Sequence, residues 1–366
     1  MPFKSTLAKS AGKLFGVFKE RDLSLRGGVQ SSRLPGPSAI SATGGTKNTS
    51  VGDGYIYHVF EQTAVGSPNS TTFQITAGNN TVEVLVIGGG AGAGSMNSGA
   101  PGANGGNPGG GGGGAAIGPV GTLGPGTYPL TVGAGGKGRG ATSPGPPAYS
   151  PSNTFGTAGE AGGTSVFNGV IQATGGAGGP AVAASPLPGS RAPGGTGTGG
   201  VTNGTGGYGG YGVLNGSPGQ GVGEDGQNGT NAAGGGAGGS DMQPVATGGD
   251  GTTSLLGPYG AGGGGGGARD QGNQPASGGA GGSGMFAGGR GGGMGSDALD
   301  GSGPATSKGL GGQDANFPPG GSRDNNGGGG GAYGGGGGGL SDQVNSGNDC
   351  VSGSGGGGLV VVRYAV

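Results

Sequence analysis

The stretch Val82–Gly94, VEVLVIGGGAGAG, sets an uninterrupted apolar strand directly against a run of glycine. A short apolar run of this kind favours a buried β-strand, and the run ends abruptly at Gly88. The same combination occurs at the C-terminus, where Leu359–Ala365 (LVVVRYA) follows the tract GSGGGG. Strands are therefore predicted at both ends of the glycine-rich region, with glycine tracts filling the space between them.

Other segments also carry the alternation and the β-branched or aromatic residues typical of strands. The sequence predicts a turn at Asn79 and Asn80, between two of these strands. Asn168-Gly169 predicts a tight hairpin, because both residues tolerate the positive φ that a two-residue loop requires. The predicted strands are Tyr55–Phe60, Thr71–Thr76, Val82–Ile87, Thr127–Val132, Thr164–Phe167, Val170–Ala173 and Leu359–Ala365.

Composition argues against an ordinary globular enzyme. The 366 residues include 115 Gly and 24 Pro. Leu, Ile, Val and Phe make up only about 15% of the chain, below the roughly 20% typical of a folded domain. Side chains therefore supply too little apolar surface for a core of the expected size. Hydrogen bonds between closely packed backbones are the remaining source of order for the glycine tracts.

Glycine recurs at intervals of three in several short runs, for example at Gly223, Gly226 and Gly229. No run is long enough for a collagen triple helix, but a period of three also suits a polyproline-II-type helix. Helices without Cβ atoms can lie side by side and bond N–H to C=O. The expected fold is all-β and irregular, with a sandwich- or jelly-roll-like strand frame enclosing a polyglycine-II-like lattice and a short N-terminal helix.

Three regions follow from these patterns: an amphipathic anchoring peptide (1–26), a Gly/Ser/Pro linker (27–53) and a glycine-rich β/polyglycine-II domain (54–366). Residues 1–33 hold seven Lys and Arg against two acidic residues, whereas the whole chain has a net charge of −1. Apolar residues at helical spacing predict one apolar helix face. That helix either packs on its own domain or docks into a larger assembly. The anchor residues are Phe3, Leu7, Leu14, Phe15 and Phe18.

One glycine motif invites a functional interpretation that its context does not support. Gly88, Gly90 and Ala93 follow a strand and fit G-x-G-x-x-A, the dinucleotide fingerprint. That fingerprint requires a helix immediately afterwards, whose N-terminus holds the pyrophosphate. The glycine- and proline-rich residues 95–114 cannot form such a helix, so we expect no nucleotide site.

The sequence offers no catalytic or metal-binding constellation. The chain has one His and one Cys, His58 and Cys350, which excludes a Cys/His zinc site and an intrachain disulfide. We expect His58 at the surface or on an edge strand. Gly292–Asp300 fits one nonapeptide of the calcium-binding β-roll, but a single copy is more simply a chance match. We therefore expect no enzyme, no cofactor, no metal and no nucleic-acid partner.

The order of strands and glycine tracts over residues 55–366 resembles the glycine-rich domain of bacteriophage tail-fibre and adhesin proteins. In that group glycine runs pack as polyglycine-II helices, and variable loops at one end recognise the host surface. Some receptor ectodomains and antifreeze proteins use similar lattices. The matching segments are Tyr55–Phe60, Thr71–Ile75, Val82–Gly90, Gly126–Gly136, Gly163–Gly179 and Gly358–Tyr364.

The resemblance implies a virion surface protein of the tail or head. It would bind other virion proteins through residues 1–26 and a host surface protein or glycan through its loops, as a monomer or a homo-oligomer. Aromatic and charged residues in the Gly/Pro loops suit such contacts, although they could equally cap the lattice and exclude water. The candidates are Tyr149, Phe155, Tyr208, Tyr211, Tyr259, Arg269, Asp270, Phe286, Phe317 and Arg323.

Three alternatives remain open from the sequence. The first is a head-decoration or fibre protein without a receptor role. The second is a secreted lattice protein that binds ice or polysaccharide; a flat array of repeated threonines would favour it, but the threonines are scattered along the sequence. The third is a peripheral membrane protein that binds lipid through residues 1–26.

Overall fold

The computed structural model describes residues 38–49, 52–63, 66–94, 105–106, 108–138, 158–181, 191–210, 225–238, 248–251, 280–281, 329–338, 341–342 and 352–366. These residues form thirteen strands and no helix, which confirms the all-β part of the fold prediction. All of them except Ser38 belong to one compact unit, Ala39–Val366. The predicted N-terminal helix and the anchor residues lie outside the described residues.

The strands vary in length from two residues to nineteen. They are β1 Ser38–Thr43, β2 Thr46–Asn48, β3 Tyr55–Phe60, β4 Asn69–Ile87, β5 Gly105–Gly106, β6 Ala115–Leu123, β7 Gly126–Val132, β8 Ser165–Phe167, β9 Ile171–Ala173, β10 Gly197–Thr198, β11 Thr202–Gly204, β12 Ser341–Asp342 and β13 Leu359–Ala365.

Strand β4 is shared by two half-sheets. Its first part, residues 69–75, pairs antiparallel with β7, and β8, β9 and β10 follow in order; β1 also pairs with β4. This is the first half-sheet. The second part, residues 80–87, pairs antiparallel with β13 on one side and β6 on the other. Strands β3 and β2 continue beyond β13, and β11 continues beyond β6, which completes the second half-sheet.

The second half-sheet is buried on both faces. On one face Val82, Val84 and Val86 join residues of the first half-sheet, such as Phe73 and Phe167, in one apolar cluster. The other face carries a second cluster of strand residues together with residues from the glycine-rich segments. Its buried members are Tyr57, Leu85, Ile87, Ala115, Ile117, Ala232, Ala233, Ala332, Tyr333, Leu359 and Val361. Burial on both faces explains why VEVLVI and LVVV are continuous apolar runs.

All seven predicted strands overlap observed strands, and Tyr55–Phe60 and Leu359–Ala365 have the predicted bounds. The hairpin at Asn168-Gly169 is also confirmed, with φ of 49° and 67° at the two residues. The predicted turn at Asn79 and Asn80 is wrong, because β4 runs through these residues without reversing. Gly78, with φ of 79°, lies where β4 passes from the β7 pairing to the β13 and β6 pairings. The chain changes partners there rather than direction.

Two strands, β1 and β2, occupy part of the segment that the sequence suggested was a linker. Ile40 and Ala42 of β1 belong to the first apolar cluster, whereas Ser41 between them is exposed. Strand β2 pairs with β3 through Thr46 and its two successors. Glycine, proline and serine in this region obscured a short period-two pattern of buried residues.

Eight of the described strands continue into glycine-rich segments, directly or after one threonine, and the strand register continues with them. They are β4, β6, β7, β8, β9, β10, β11 and β13. In the sheet, Ile87 of β4 lies opposite Ala115 of β6. Beyond it, the N–H groups of residues 88, 91 and 94 donate to the carbonyls of residues 114, 111 and 108, which keeps the same antiparallel register. The β8–β9 pair behaves alike: Ser165 lies opposite Ala173, and residues 162 and 159 then bond residues 176 and 179.

Hydrogen bonding in these segments repeats every three residues. Within segment 88–94, residues 88, 91 and 94 donate to segment 108–114. Residues 89 and 92 donate to residues 163 and 160, and residues 90 and 93 donate to residues 356 and 353. Carbonyls of the same segment accept from three further neighbours, at residues 176–179, 136 and 337. One segment thus contacts six others, whereas a β-strand pairs with two.

Close backbone approach explains the glycines. A Cβ placed on Gly89, Gly90 or Gly92 would lie less than 3.0 Å from a carbonyl oxygen of the neighbouring segment, a distance that real Cβ atoms essentially never show. Alanine nevertheless occurs in the same segment at Ala91 and Ala93, both fully buried. Whether a position holds Gly or Ala therefore depends on whether its Cβ would point at the backbone of a neighbouring segment.

Candidate functional site

Of the ten predicted contact residues, the structure describes Tyr208. The other nine, and all five predicted anchor residues, lie outside the described residues, as do Cys350 and the nonapeptide Gly292–Asp300. Tyr208 is 42% exposed. It is the only aromatic residue among the exposed large apolar residues in the described part of the chain, so the candidate site is built around it.

The position of Tyr208 follows from the three-residue repeat. In segment 205–210, residues 206, 207, 209 and 210 are buried, whereas Thr205 and Tyr208 are exposed. Every third side chain of this segment therefore faces outward. The Tyr208 carbonyl accepts a hydrogen bond of 2.8 Å from the Gln227 N–H, and the next residue, Gly209, donates to the Ala192 carbonyl. These bonds fix the backbone beneath the aromatic ring on both sides.

A row of five threonines crosses the structure where the strands meet the glycine segments. Thr164 lies opposite Thr174 in the continued β8–β9 register. Thr174 and Thr196 bond each other, Thr196 and Thr205 form an isolated antiparallel bridge, and Thr205 bonds Thr230. We call Thr164, Thr174, Thr196, Thr205 and Thr230 the threonine row. Four of its members are exposed and Thr174 is half-buried.

Two hydroxyl groups hold adjacent chains of the threonine row together. The Thr174 hydroxyl accepts from the Thr196 N–H at 2.8 Å and donates to the Thr196 carbonyl at 3.3 Å. The Thr230 hydroxyl does the same with the N–H and carbonyl of Thr205, at 2.9 and 3.3 Å. In these bonds Thr196 and Thr205 contribute backbone groups. The spacing of the row is therefore fixed by hydrogen bonds within the protein.

A second row lies three residues further along the same five chains. The register places Ala161, Ala177, Pro193, Tyr208 and Gln227 side by side, and we call these residues the tyrosine row. Ala177 is half-buried, and the other four residues are exposed. No residue of either row is charged. Tyr208 is predicted from the sequence, whereas the two rows are not; the available signal was a threonine next to a glycine in each of the five segments.

The far end of the glycine segments, remote from the sheet, is where much of the undescribed chain leaves and returns. Gly94 N–H bonds the Pro108 carbonyl at 3.4 Å there, and Glu160 N–H bonds the Lys137 carbonyl. Strands β5 and β12 pair antiparallel as a separate two-stranded sheet. The stretches that begin and end at this far end include residues 139–157, 182–190, 211–224 and 239–247.

The G-x-G-x-x-A motif lies in glycine segment 88–94, which is buried throughout. Gly88, Gly90 and Ala93 are buried, and the N–H groups of all three bond carbonyls of neighbouring segments. A dinucleotide pyrophosphate would need those N–H groups. The expectation that the motif does not bind a nucleotide therefore agrees with its surroundings.

His58 is fully buried, so its predicted place at the surface or on an edge strand is wrong. Strand β3 lies between β2 and β13, which gives it partners on both sides. The His58 Nδ1–H donates to the Gly44 carbonyl at 2.7 Å, and Nε2 lies 3.2 Å from the Tyr364 hydroxyl, which donates to it in the neutral form. Phe73 packs edge-on against the ring at 5.1 Å. His58 thus links the β1–β2 turn to β13.

Acidification is expected to destabilise the protein through His58. Burial, reinforced by the positive charge of Lys47, lowers the pKa of His58 below its ordinary value of 6.5. The stability that depends on neutral His58 is therefore fully present above about pH 6.5 and is lost as the pH falls through the lowered pKa. Urea unfolding midpoints measured between pH 8 and pH 5.5 should fall with pH.

The variant His58→Gln provides the control for this pH effect, because His58 is the only histidine in the chain. Its midpoint should be lower at pH 8, since two buried hydrogen bonds are altered, but nearly constant over the same range. An equal decline with pH in both proteins would show that His58 is not the titrating group.

Ionic groups on the second half-sheet are joined by an ion pair, a hydrogen bond and a cation–π contact. Arg363 pairs with Glu83 at 2.5 Å and lies over the Tyr55 ring at 4.4 Å. The Tyr57 hydroxyl donates to Asp53 at 2.5 Å, a bond that lowers the pKa of that carboxyl. Elsewhere Tyr333 donates to Glu61, and burial raises the pKa of Tyr333 far above its usual range.

The part of the chain that the structure describes contains no group of three or more His, Cys, Asp or Glu arranged to hold a metal ion. Nor does it contain a helix long and apolar enough to cross a membrane. The chain matches no protein-family model, and no curated protein is significantly similar to it.

Proposed function

We propose that this protein is a non-enzymatic surface protein of a bacteriophage virion, a tail-fibre or tip adhesin that presents loops to the host surface. The observation that carries the proposal is the continuous register between strands and glycine segments. Because these strands continue into segments tied to their neighbours, the far end is held rigidly relative to the sheet. Stretches of variable composition leave and return at that end.

Within this proposal the glycine segments form a polyglycine-II lattice. The repeat of three residues in the hydrogen bonds is that of a polyproline-II-type helix, and six neighbours around segment 88–94 suit hexagonal packing. The two half-sheets, which share the first apolar cluster, form a sandwich-like frame at the base of the lattice. Residues 1–26 would attach the chain to other virion proteins through an amphipathic helix.

The mechanism is rigid display. Main-chain hydrogen bonds need no particular side chains, so loops can change in sequence without disturbing a side-chain core. A preorganised platform also reduces the entropy lost when its loops bind a surface. Attachment, rather than chemistry, is then the function of the far end.

The threonine row favours a second candidate, the secreted lattice protein that binds ice or polysaccharide. The sequence spreads these threonines over residues 164–230, but the fold aligns them. Both candidates have the same glycine lattice, but the adhesin would be found on the virion and the second candidate would be secreted. Location is therefore the property to test.

The test of the adhesin proposal is immunogold electron microscopy. Antibodies against the purified full chain would be applied to particles from the source lysate. We expect gold at the tail periphery or tip. Gold over the capsid would overturn the adhesin in favour of head decoration. Protein found only in the soluble fraction would overturn it in favour of the secreted candidate.

A further inference from the structure

We infer that the threonine row and Tyr208 together bind an uncharged polysaccharide chain. This inference rests on the proposed adhesin and goes beyond it, because it names the chemical class of a receptor and adds a second site, on the side of the lattice rather than in the loops at the far end. Four observations support it: the alignment of the row, its fixed spacing, its lack of charge and the exposed aromatic ring beside it.

The alignment provides a continuous line of threonines across neighbouring chains. Five neighbouring chains each contribute one threonine at the same level. Neighbouring hydrogen-bonded chains lie about 4.8 Å apart, so the four intervals follow a path of roughly 19 Å. The path bends near Thr196, because segments 174–179, 191–196 and 205–210 all bond segment 108–114. A line of this length suits an extended polymer better than a single small molecule.

The chemistry of the row matches sugar hydroxyls. A threonine hydroxyl has one donor and two acceptor positions, so Thr174 and Thr230 keep acceptor capacity after bonding the next chain. Gln227 adds an amide donor and acceptor beside Tyr208. The backbone bonds fix the spacing of the row, and hydrogen bonds already hold the hydroxyls of Thr174 and Thr230. Binding would therefore order few additional groups of the row.

Tyr208 supplies the apolar element of the site. It stands three residues from Thr205, about 9 Å along a three-residue helix, and its ring is 42% exposed. Sugar rings present C–H faces that pack against aromatic rings, and tyrosine combines an apolar ring with a polar tip. The ring therefore provides a stacking platform at the edge of the hydroxyl line.

Charge decides between classes of polymer. Neither the threonine row nor the tyrosine row contains a charged residue. Nucleic acids and acidic polysaccharides bind largely through Lys and Arg, which both rows lack. A neutral polysaccharide can be bound without ionic contacts, so it is the polymer that this surface fits best.

The test is affinity electrophoresis of the full chain in native gels that contain dextran, mannan or laminarin, with alginate as the anionic control. We expect at least one neutral polysaccharide to retard the protein and alginate to leave it unaffected. Tyr208→Ala should weaken binding about tenfold. Tyr208→Phe should bind like the parent, because it keeps the ring. Val201→Ala, at an exposed valine outside both rows, should also bind like the parent.

Several outcomes would overturn the inference: no retardation in any neutral gel, retardation by alginate alone, or equal retardation of the parent and Tyr208→Ala. Shaping of growing ice crystals without retardation would assign the row to ice instead. Gold at the tail tip with no retardation would contradict this inference and leave the adhesin standing. Retardation without gold on particles would contradict the adhesin and leave the polysaccharide site standing.

Discussion

Exchanging two adjacent residues, Ala91→Gly with Gly92→Ala, is expected to destabilise the protein by about 3 kcal/mol, although the composition is unchanged. A Cβ on residue 92 would meet the carbonyl of Lys137 at less than 3.0 Å. The atom it meets is backbone within the bonded segments, so it cannot rotate away. The exchange also removes the Cβ of Ala91, which is fully buried at a position where the neighbouring segments leave room for it. Equilibrium urea unfolding would measure the loss.

Two single substitutions separate the effect of direction from that of composition. Ala91→Gly alone should cost only about 0.5–1 kcal/mol, through the greater freedom of glycine in the unfolded chain. Gly124→Ala should be nearly neutral, since the nearest atom to its Cβ is that of Asn79 at 4.0 Å. An exchange variant with the stability of Ala91→Gly alone would contradict a direction-specific packing of the glycine segments.

Sequence patterns predicted the strands that are apolar on both faces. Tyr55–Phe60 and Leu359–Ala365 have the predicted bounds. Because these strands are buried, they consist mostly of apolar β-branched and aromatic residues, which are the residues that predict a strand. Strand β6 was missed, since its sequence AAIGPVGTL contains glycine and proline. It is a strand because residues 80–87 of β4 offer it a partner. Pairing between distant segments cannot be seen in a local window.

The glycine segments illustrate a different limit of sequence reasoning. A period of three was visible in the spacing of glycines and suggested helices with three residues per turn. Which segment lies beside which could not be predicted, because glycine carries no side chain that specifies a partner. The structure indicates that strand pairing supplies the missing information: the register of β4 with β6 is continued by segments 88–94 and 108–114.

The sequence predicted one residue of the candidate site, Tyr208, but not the surface that this residue forms with the threonine row. Tyr208 is predicted because aromatic residues in Gly/Pro loops suit contacts with a glycan or protein. Its companions are threonines from five chains spread over residues 164–230, and a sequence gives no reason to group them. Alignment comes from the same continued register, so the surface depends on the sheet even though it lies on the glycine segments.

Ile40→Asp is expected to destabilise the protein by more than about 4 kcal/mol, the second large effect that the structure predicts. Ile40 is 7% exposed and belongs to the cluster that contains Phe60 and Phe73. Removing the side chain of a buried isoleucine costs about 2–5 kcal/mol, and placing a carboxylate there adds the cost of desolvating it. Thermal and urea unfolding of the full chain would measure the change.

Ser41→Asp is the matched control, because Ser41 neighbours Ile40 on β1 but is exposed. It introduces the same carboxylate at a solvated position and should change stability by less than about 0.5 kcal/mol. If residues 38–43 were a linker, as their composition suggested, both substitutions would be neutral. A large loss for Ile40→Asp with none for Ser41→Asp requires a strand with one face in the core. Equal effects of the two would contradict the place of β1 in the first half-sheet.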